Sequence, residues 1–163
     1  MPSINSPSPL SLCLWFNGQA EEAALYYTGL FPDSSIGKIP RYGEGTPFAA
    51  GTAVIVPFTL SGQAFLALNG NLDHVFNESI SIVIHCDTQE EIDHYWDHFI
   101  ADGGQASMCG WLKDKFGVSW QVVPSMVGEK MTNGEPQRTG KMMQALLQMQ
   151  KLMVAELEAA YNS

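Results

Sequence analysis

The chain has 163 residues, 45% of them hydrophobic and 15% charged, which is enough for one domain with its own core. Eight basic residues against seventeen acidic ones leave a net charge of -9, which repels phosphate backbones and excludes nucleic acid as an expected partner. No apolar run approaches the ~20 residues of a bilayer span, and the N-terminus lacks the pattern of a signal peptide, so a cytoplasmic chain with no membrane partner is expected.

A Ser/Pro-rich lead comes first. "LSLCLWF" (Leu10 to Phe16) then reads as a buried strand, with Asn17 as a helix cap after it. "QAEEAALYYTGLF" has helical spacing: Ala20, Ala23, Ala24 and Tyr27 share one face, and Glu21 and Glu22 suit the helix N-terminus. "SIGKIPRYGEG" is an edge strand and loop, because Pro40 cannot donate to a ladder. "GTAVIVPFTL" and "QAFLALNG" are strands joined by a hairpin at Ser61-Gly62-Gln63.

The pattern restarts at "SISIVIHC" (Ser79 to Cys86), a strand. A helix follows, capped by Asp87 or Thr88, with Glu90 and Glu91 in its first turn and a core stripe of Ile92, Tyr95, Trp96 and Phe99. "SMCGWL" and "VSWQVVP" read as strands flanking the turn "KDKFG". The tail reads as one long helix, with Met142, Leu146, Met149, Leu152, Met153 and Leu157 along it. Cys13, Cys86 and Cys109 have no metal-type spacing and are expected to be buried small hydrophobes.

Strand, helix, strands thus occur twice, and "NGQAEEA" echoes "DTQEEID". The expected class is α+β: module one at about 8–70, module two at about 79–124, and a C-terminal helix at about 136–161, all in a single domain 1–163.

Five segments carry a resemblance: "LWFNGQAEEAALYYTGLFPDSSIGKIPRYG", "VPFTLSGQAFLALNG", "SISIVIHCDTQEEIDHYWDHFIADGG", "CGWLKDKFGVSWQVVP" and "KMMQALLQMQKL". In this order, from about Leu10 to Leu152, they resemble the PhnB-like proteins, also called 3-demethylubiquinone-9 3-methyltransferase-like domains, of the vicinal oxygen chelate superfamily. That superfamily includes glyoxalase I, bleomycin-resistance proteins and extradiol dioxygenases. The resemblance implies two βαβββ modules whose curved sheets enclose a cavity, in a homodimer. It also implies a divalent metal held in that cavity by His, Glu or Gln from the first and last strands of each module.

The residues themselves are sparing with such ligands. Strand alternation leaves Ser11, Cys13 and Trp15 on the cavity face of the first strand, and Ser79, Ser81, Val83 and His85 on that of the fifth. Gln121 sits four residues after Gly117, close to where the superfamily's final ligand falls, and Ser119 shares its face. The matching strand of module one offers only Asn69. One His, one Gln and one Asn without a carboxylate hold a hard dication poorly, so no cofactor is expected. If a metal binds, His85 and Gln121 are its expected ligands.

Ser119 and Gln121 are expected to face an enclosed pocket. The expected ligand-binding set is Gln121, Ser119, Asn69, His85, Trp111 and Trp15, with the two tryptophans able to stack on a flat molecule. His74, in a loop, is the candidate general acid or base. His94 and His98 are expected on a solvated helix face, Trp120 in the core, and the methionines of the tail against the domain itself or across a dimer interface. A methyl donor needs a Gly-rich loop between strand and helix. Gly43-Glu44-Gly45 has no helix after it, so methyl transfer is not expected.

The expected function is that of a PhnB-like protein of unassigned activity, binding a small organic molecule in a largely neutral cavity. Three alternatives stay open: a metal-dependent glyoxalase- or dioxygenase-type enzyme, a drug-sequestering binder of the bleomycin-resistance kind, and a structural or regulatory dimer. Whether the chain is an enzyme is open as well.

Overall fold

The computed structural model describes residues 9–72 and 74–163. The lead, the expected start of module one at residue 8, and Asp73 lie outside them. The chain divides into two compact units, the first ending at His74 and the second beginning at Val75.

The first unit runs β1 (Leu12–Phe16), α1 (Ala20–Leu30), β2 (Ser35–Ile36), β3 (Ile55–Leu60) and β4 (Gln63–Asn69). Its sheet has the order β1-β4-β3-β2, with β1 parallel to β4 and the other neighbours antiparallel. Leu60 pairs with Gln63 across a two-residue turn, where Ser61 (φ 44) and Gly62 (φ 81) are both left-handed. That is a type I′ hairpin, whose twist matches that of the strands. Ala20, Ala23, Ala24 and Tyr27 are fully buried along α1, and Leu14, Phe16, Val56, Phe58, Phe65 and Ala67 are buried in the strands. Three small alanines let α1 approach its sheet closely.

The α1 cap differs from expectation. Gln19, not Asn17, is at the N-cap, and it makes no side-chain capping bond. The cap comes from across the sheet: the Ala20 N–H donates to Asn69 Oδ1 at 2.9 Å. Asn69 Nδ2 donates in turn to the Ala53 carbonyl at 2.9 Å, and the residue is only 1% exposed.

The second unit repeats the plan with β5 (Ile82–Cys86), α2 (Gln89–Ala101), β6 (Gln105–Ala106), β7 (Trp111–Lys113) and β8 (Ser119–Pro124). Its strand order is β5-β8-β7-β6, with β5 parallel to β8. The duplication read from the sequence is therefore present as matching topology, βαβββ in each unit. Thr88 closes a capping box on α2 with Glu91, as its residue type anticipates. Ile92, Trp96 and Phe99 are buried, and the Phe99 ring meets that of Trp120 at 4.9 Å.

The turn between β7 and β8 is organised by one carboxylate. Asp114 is only 4% exposed. Its Oδ1 accepts from the Phe116 and Val118 N–H groups at 2.9 and 3.0 Å, and its Oδ2 accepts from Trp120 Nε1 at 2.8 Å.

The tail is helical but divided. The stretch 136–161, expected as one helix, forms α4 (Pro136–Leu146) and α5 (Val154–Asn162), preceded by α3 (Ser125–Asn133). Val127, Met142, Leu146, Leu152, Leu157 and Tyr161 make a separate buried cluster, with Met126, Met143 and Met149 packed on it. These methionines thus cover their own unit. Among the described residues no helix is long and apolar enough to cross a membrane.

Of the cysteines only Cys86 is buried, Cys109 is half-buried and Cys13 is exposed. Cys13 departs from expectation because it lies on the sheet face opposite the buried Leu14 and Phe16. Burial, with the charges of Glu91 and Asp87, pushes the Cys86 thiol up to about 12. Partial burial raises the Cys13 thiol as well, but Cys13 is accessible, so iodoacetamide at pH 8 is expected to label Cys13 well before native Cys86, as mass spectrometry of digested protein would show.

Candidate functional site

The second sheet has two unlike faces. Ile84, Cys86, Leu112, Trp120 and Val122 are buried on the side of α2. The alternate residues fall on the other side. Val83 pairs with Gln121, Gln121 with Trp111, and Ser119 with Lys113. On this second face lies a cavity of about 440 Å³, lined by Trp111, Ser119, Lys113, Cys109, Met108 and Gln105 among others. Such a volume suits a small organic molecule.

Ser119 is 2% exposed, so its hydroxyl is a buried polar group on the cavity wall. Among the described residues its Oγ reaches only the Asn77 carbonyl, at 3.4 Å, a long and weak bond. Gln121 is half-buried beside Trp111, and its Nε2 donates to Ser81 Oγ at 2.8 Å. Gln121 shares this face, but the cavity lining contains Ser119 and Trp111 and neither Gln121 nor His85. One ion pair stands in the lining: Lys113 Nζ lies 2.6 Å from Glu78 Oε1. The bond from Lys113 holds the Glu78 carboxyl below its usual range. A lowered carboxyl keeps its charge until the pH falls below that of an ordinary carboxylate, so the pair persists through neutral and mildly acid solution.

The structure brings Ser119, Trp111 and Gln121 together on one face. His85 lies on it too, exposed, paired with Val123 one step beyond the Val83–Gln121 pair. Asn69 lies on the helix side of the first sheet, where both ends of its amide are occupied. Trp15 and His74 belong to the first unit. Their rings meet edge to face at 5.0 Å, and Trp15 Nε1 donates to the Leu72 carbonyl at 3.0 Å. Gly70 leaves room for that indole, since a Cβ there would lie 1.8 Å from Trp15 Cζ2. Gly70→Ala is expected to expel Trp15 from its seat and red-shift its emission, with the second unit's tryptophans unchanged.

The superfamily's metal fits these residues poorly. Among the described residues no three His, Cys, Asp or Glu side chains form a group that could hold a metal ion. His85 and Gln121 offer two neutral donors, and one hydrogen of the Gln121 amide is already given to Ser81. His94 and His98 are exposed on α2, as expected.

Sequence reasoning missed Glu78, Lys113, Gln105 and the segment Ser107–Cys109. Lys113 was within reach, since it alternates with Leu112 and so shares the face of Trp111. The segment, expected as the start of a strand, is not one: β7 begins at Trp111, and Cys109 enters the lining in a left-handed conformation (φ 63) that non-glycine residues seldom adopt.

The family model described as 3-demethylubiquinone-9 3-methyltransferase matches residues 8–123. No curated protein matches the chain. Among solved structures, the chain is 37% identical to a Bacillus cereus protein described as a putative 3-demethylubiquinone-9 3-methyltransferase, PhnB protein. That match has a TM-score of 0.66 and covers 72% of this chain and 100% of the other. A Pseudomonas aeruginosa protein matches at 21% identity and TM-score 0.57, over 71% of this chain and 96% of its own. A fosfomycin resistance protein from Mesorhizobium loti matches at 13% identity and TM-score 0.53, over 78% and 98%. The latter two establish a shared fold.

Proposed function

The chain belongs to the 3-demethylubiquinone-9 3-methyltransferase (PhnB-like) family, and from that premise we propose that its second unit binds a small organic molecule on the open face of the sheet. Trp111 offers a flat apolar wall, Ser119 offers a neutral hydroxyl with Gln121 next along the same face, and Lys113 with Glu78 offers one charged contact of each sign. The observation that carries the reading is the nearly buried Ser119 hydroxyl in the wall of an ordinary-sized ligand cavity. Buried polar groups are normally paired, and a hydroxyl with only a long bond to the protein is available to a ligand.

The family name does not bring methyl transfer with it, because the chain has no Gly-rich donor loop. A metal-dependent reaction like those of the superfamily's enzymes is the rival reading. A homodimer belongs to the proposal as the expected assembly, and light scattering at twice the chain mass would support it.

A thermal-shift screen of metabolites tests the proposal. At least one hit is expected to raise the melting temperature, and Trp111→Ala or Ser119→Val is expected to weaken it about ten-fold or more. A hit indifferent to both substitutions would place the ligand elsewhere. Metal analysis of protein purified without chelator tests the rival. Stoichiometric metal that disappears in Gln121→Ala would favour the enzyme.

A further inference from the structure

The family match stops at Val123, and α3, α4 and α5 all lie beyond it. This appendage meets the proposed site at the crossing Leu147–Met153, between α4 and α5. The Met149 carbonyl accepts from the Cys109 N–H at 2.7 Å, and the Gln150 carbonyl accepts from the Gly110 N–H at 2.8 Å. Cys109 lines the cavity and also packs on the appendage's apolar cluster. The Gly110 carbonyl accepts from the Val122 N–H at 2.8 Å, beside Gln121. Gly110 is itself left-handed (φ 79), and a Cβ on it would lie 2.7 Å from the Val122 carbonyl oxygen and 3.0 Å from Leu152 Cδ1.

The other side of the crossing is fixed to α2. Gln89 Oε1 accepts from the Val154 N–H at 2.8 Å, and Gln89 Nε2 donates to the Leu152 carbonyl at 3.3 Å. Lys151 Nζ lies 2.5 Å from Asp93 Oδ1 and 3.0 Å from Asp97 Oδ1. The crossing is therefore held between α2 and the cavity wall, with the Met149 and Gln150 carbonyls bonded to that wall and the Leu152 carbonyl to α2.

We propose that the α4–α5 crossing is a clamp that holds Ser107–Gly110 as one wall of the cavity and thereby sets the size of molecule the cavity admits. The claim about size rests on the cavity being the binding site; the clamp itself does not. It works by rigidity. Two backbone bonds and the Leu152 side chain leave Cys109 and Gly110 one conformation, and loosening the appendage lets the wall open locally while the sheet stays intact.

Thiol reactivity reads this without any ligand. In a Cys13→Ser background, Cys109 is the thiol that iodoacetamide can reach, since Cys86 is buried. Leu157→Ala loosens the appendage core away from the cavity, and Gln89→Ala combined with Lys151→Ala cuts both ties to α2 without emptying a core position. Each is expected to speed Cys109 alkylation, by about ten-fold for Leu157→Ala and several-fold for the Gln89→Ala, Lys151→Ala pair. Hydrogen exchange of the amides joining β5 to β8 is expected to stay unchanged. If Leu157→Ala fails to fold, the Gln89→Ala, Lys151→Ala pair decides alone. An unchanged alkylation rate, or one that rises only in step with β5–β8 exchange, would overturn the clamp. Absence of any ligand hit would instead count against the binding reading.

Discussion

Asp114→Ala is expected to lower the unfolding free energy by about 4 kcal/mol, the largest effect of any single polar substitution considered for this chain. The carboxylate is 4% exposed and satisfies three donors: the N–H groups of Phe116 and Val118 and the indole of Trp120. Alanine leaves all three without that acceptor, and the Trp120 side chain is fully buried against Phe99. Buried donors stripped of a charged acceptor cost about 1–3 kcal/mol each, and they do not add fully because the turn relaxes. Asp114→Asn keeps one acceptor oxygen but turns an NH₂ toward either the turn or the indole, so it recovers only part of the loss. Urea denaturation checks both. A cost below about 1 kcal/mol for Asp114→Ala would mean that water or another group replaces the carboxylate.

Asn69→Ala is expected to lower stability by about 3 kcal/mol, also by equilibrium unfolding. Its Oδ1 is the side-chain cap of α1, and its Nδ2 holds the Ala53 carbonyl. Both partners are buried, so truncation forfeits a cap and leaves an unpaired group on each side. Asn69→Asp keeps the cap oxygen but faces the Ala53 carbonyl with a carboxylate, so it too is expected to destabilise. The proposed ligand site is expected to keep its affinity in either variant, since Asn69 sits in the other unit. Lost binding at unchanged stability would return Asn69 to the ligand set.

These two residues mark the boundary of what the sequence could tell. The βαβββ plan was legible because Leu14 and Phe16, Ala23 and Tyr27, and Ile92, Trp96 and Phe99 obey strand or helix periods. The α2 cap was legible because Thr88 and Glu91 stand three apart. Asn69 was legible as an amide near a strand end but not as a cap, because its partner is forty-nine positions away in sequence. Asp114 was legible as part of a turn, but its reach to Trp120 depends on the β7–β8 pairing.

The broken tail was illegible for a different reason. "LLQMQKLM" carries no glycine or proline, so nothing local argues against a helix. The break is imposed by tertiary contacts: the Met149 and Gln150 carbonyls bond to Cys109 and Gly110 rather than within a helix. Half the cavity wall was hidden with it. Ser119 and Trp111 could be read from strand alternation, whereas Ser107–Cys109 are shaped by residues some forty positions later.

The central claim is that ligand contacts Trp111 on the open face of the second sheet. Of the four indoles, those of Trp96 and Trp120 are buried in the core, and Trp15 lies in the first unit. With ¹⁵N-labelled tryptophan and each indole signal assigned by substitution, titration of a thermal-shift hit is expected to move the Trp111 signal first and furthest. A hit that leaves Trp111 in place while shifting only Trp15 would contradict the account.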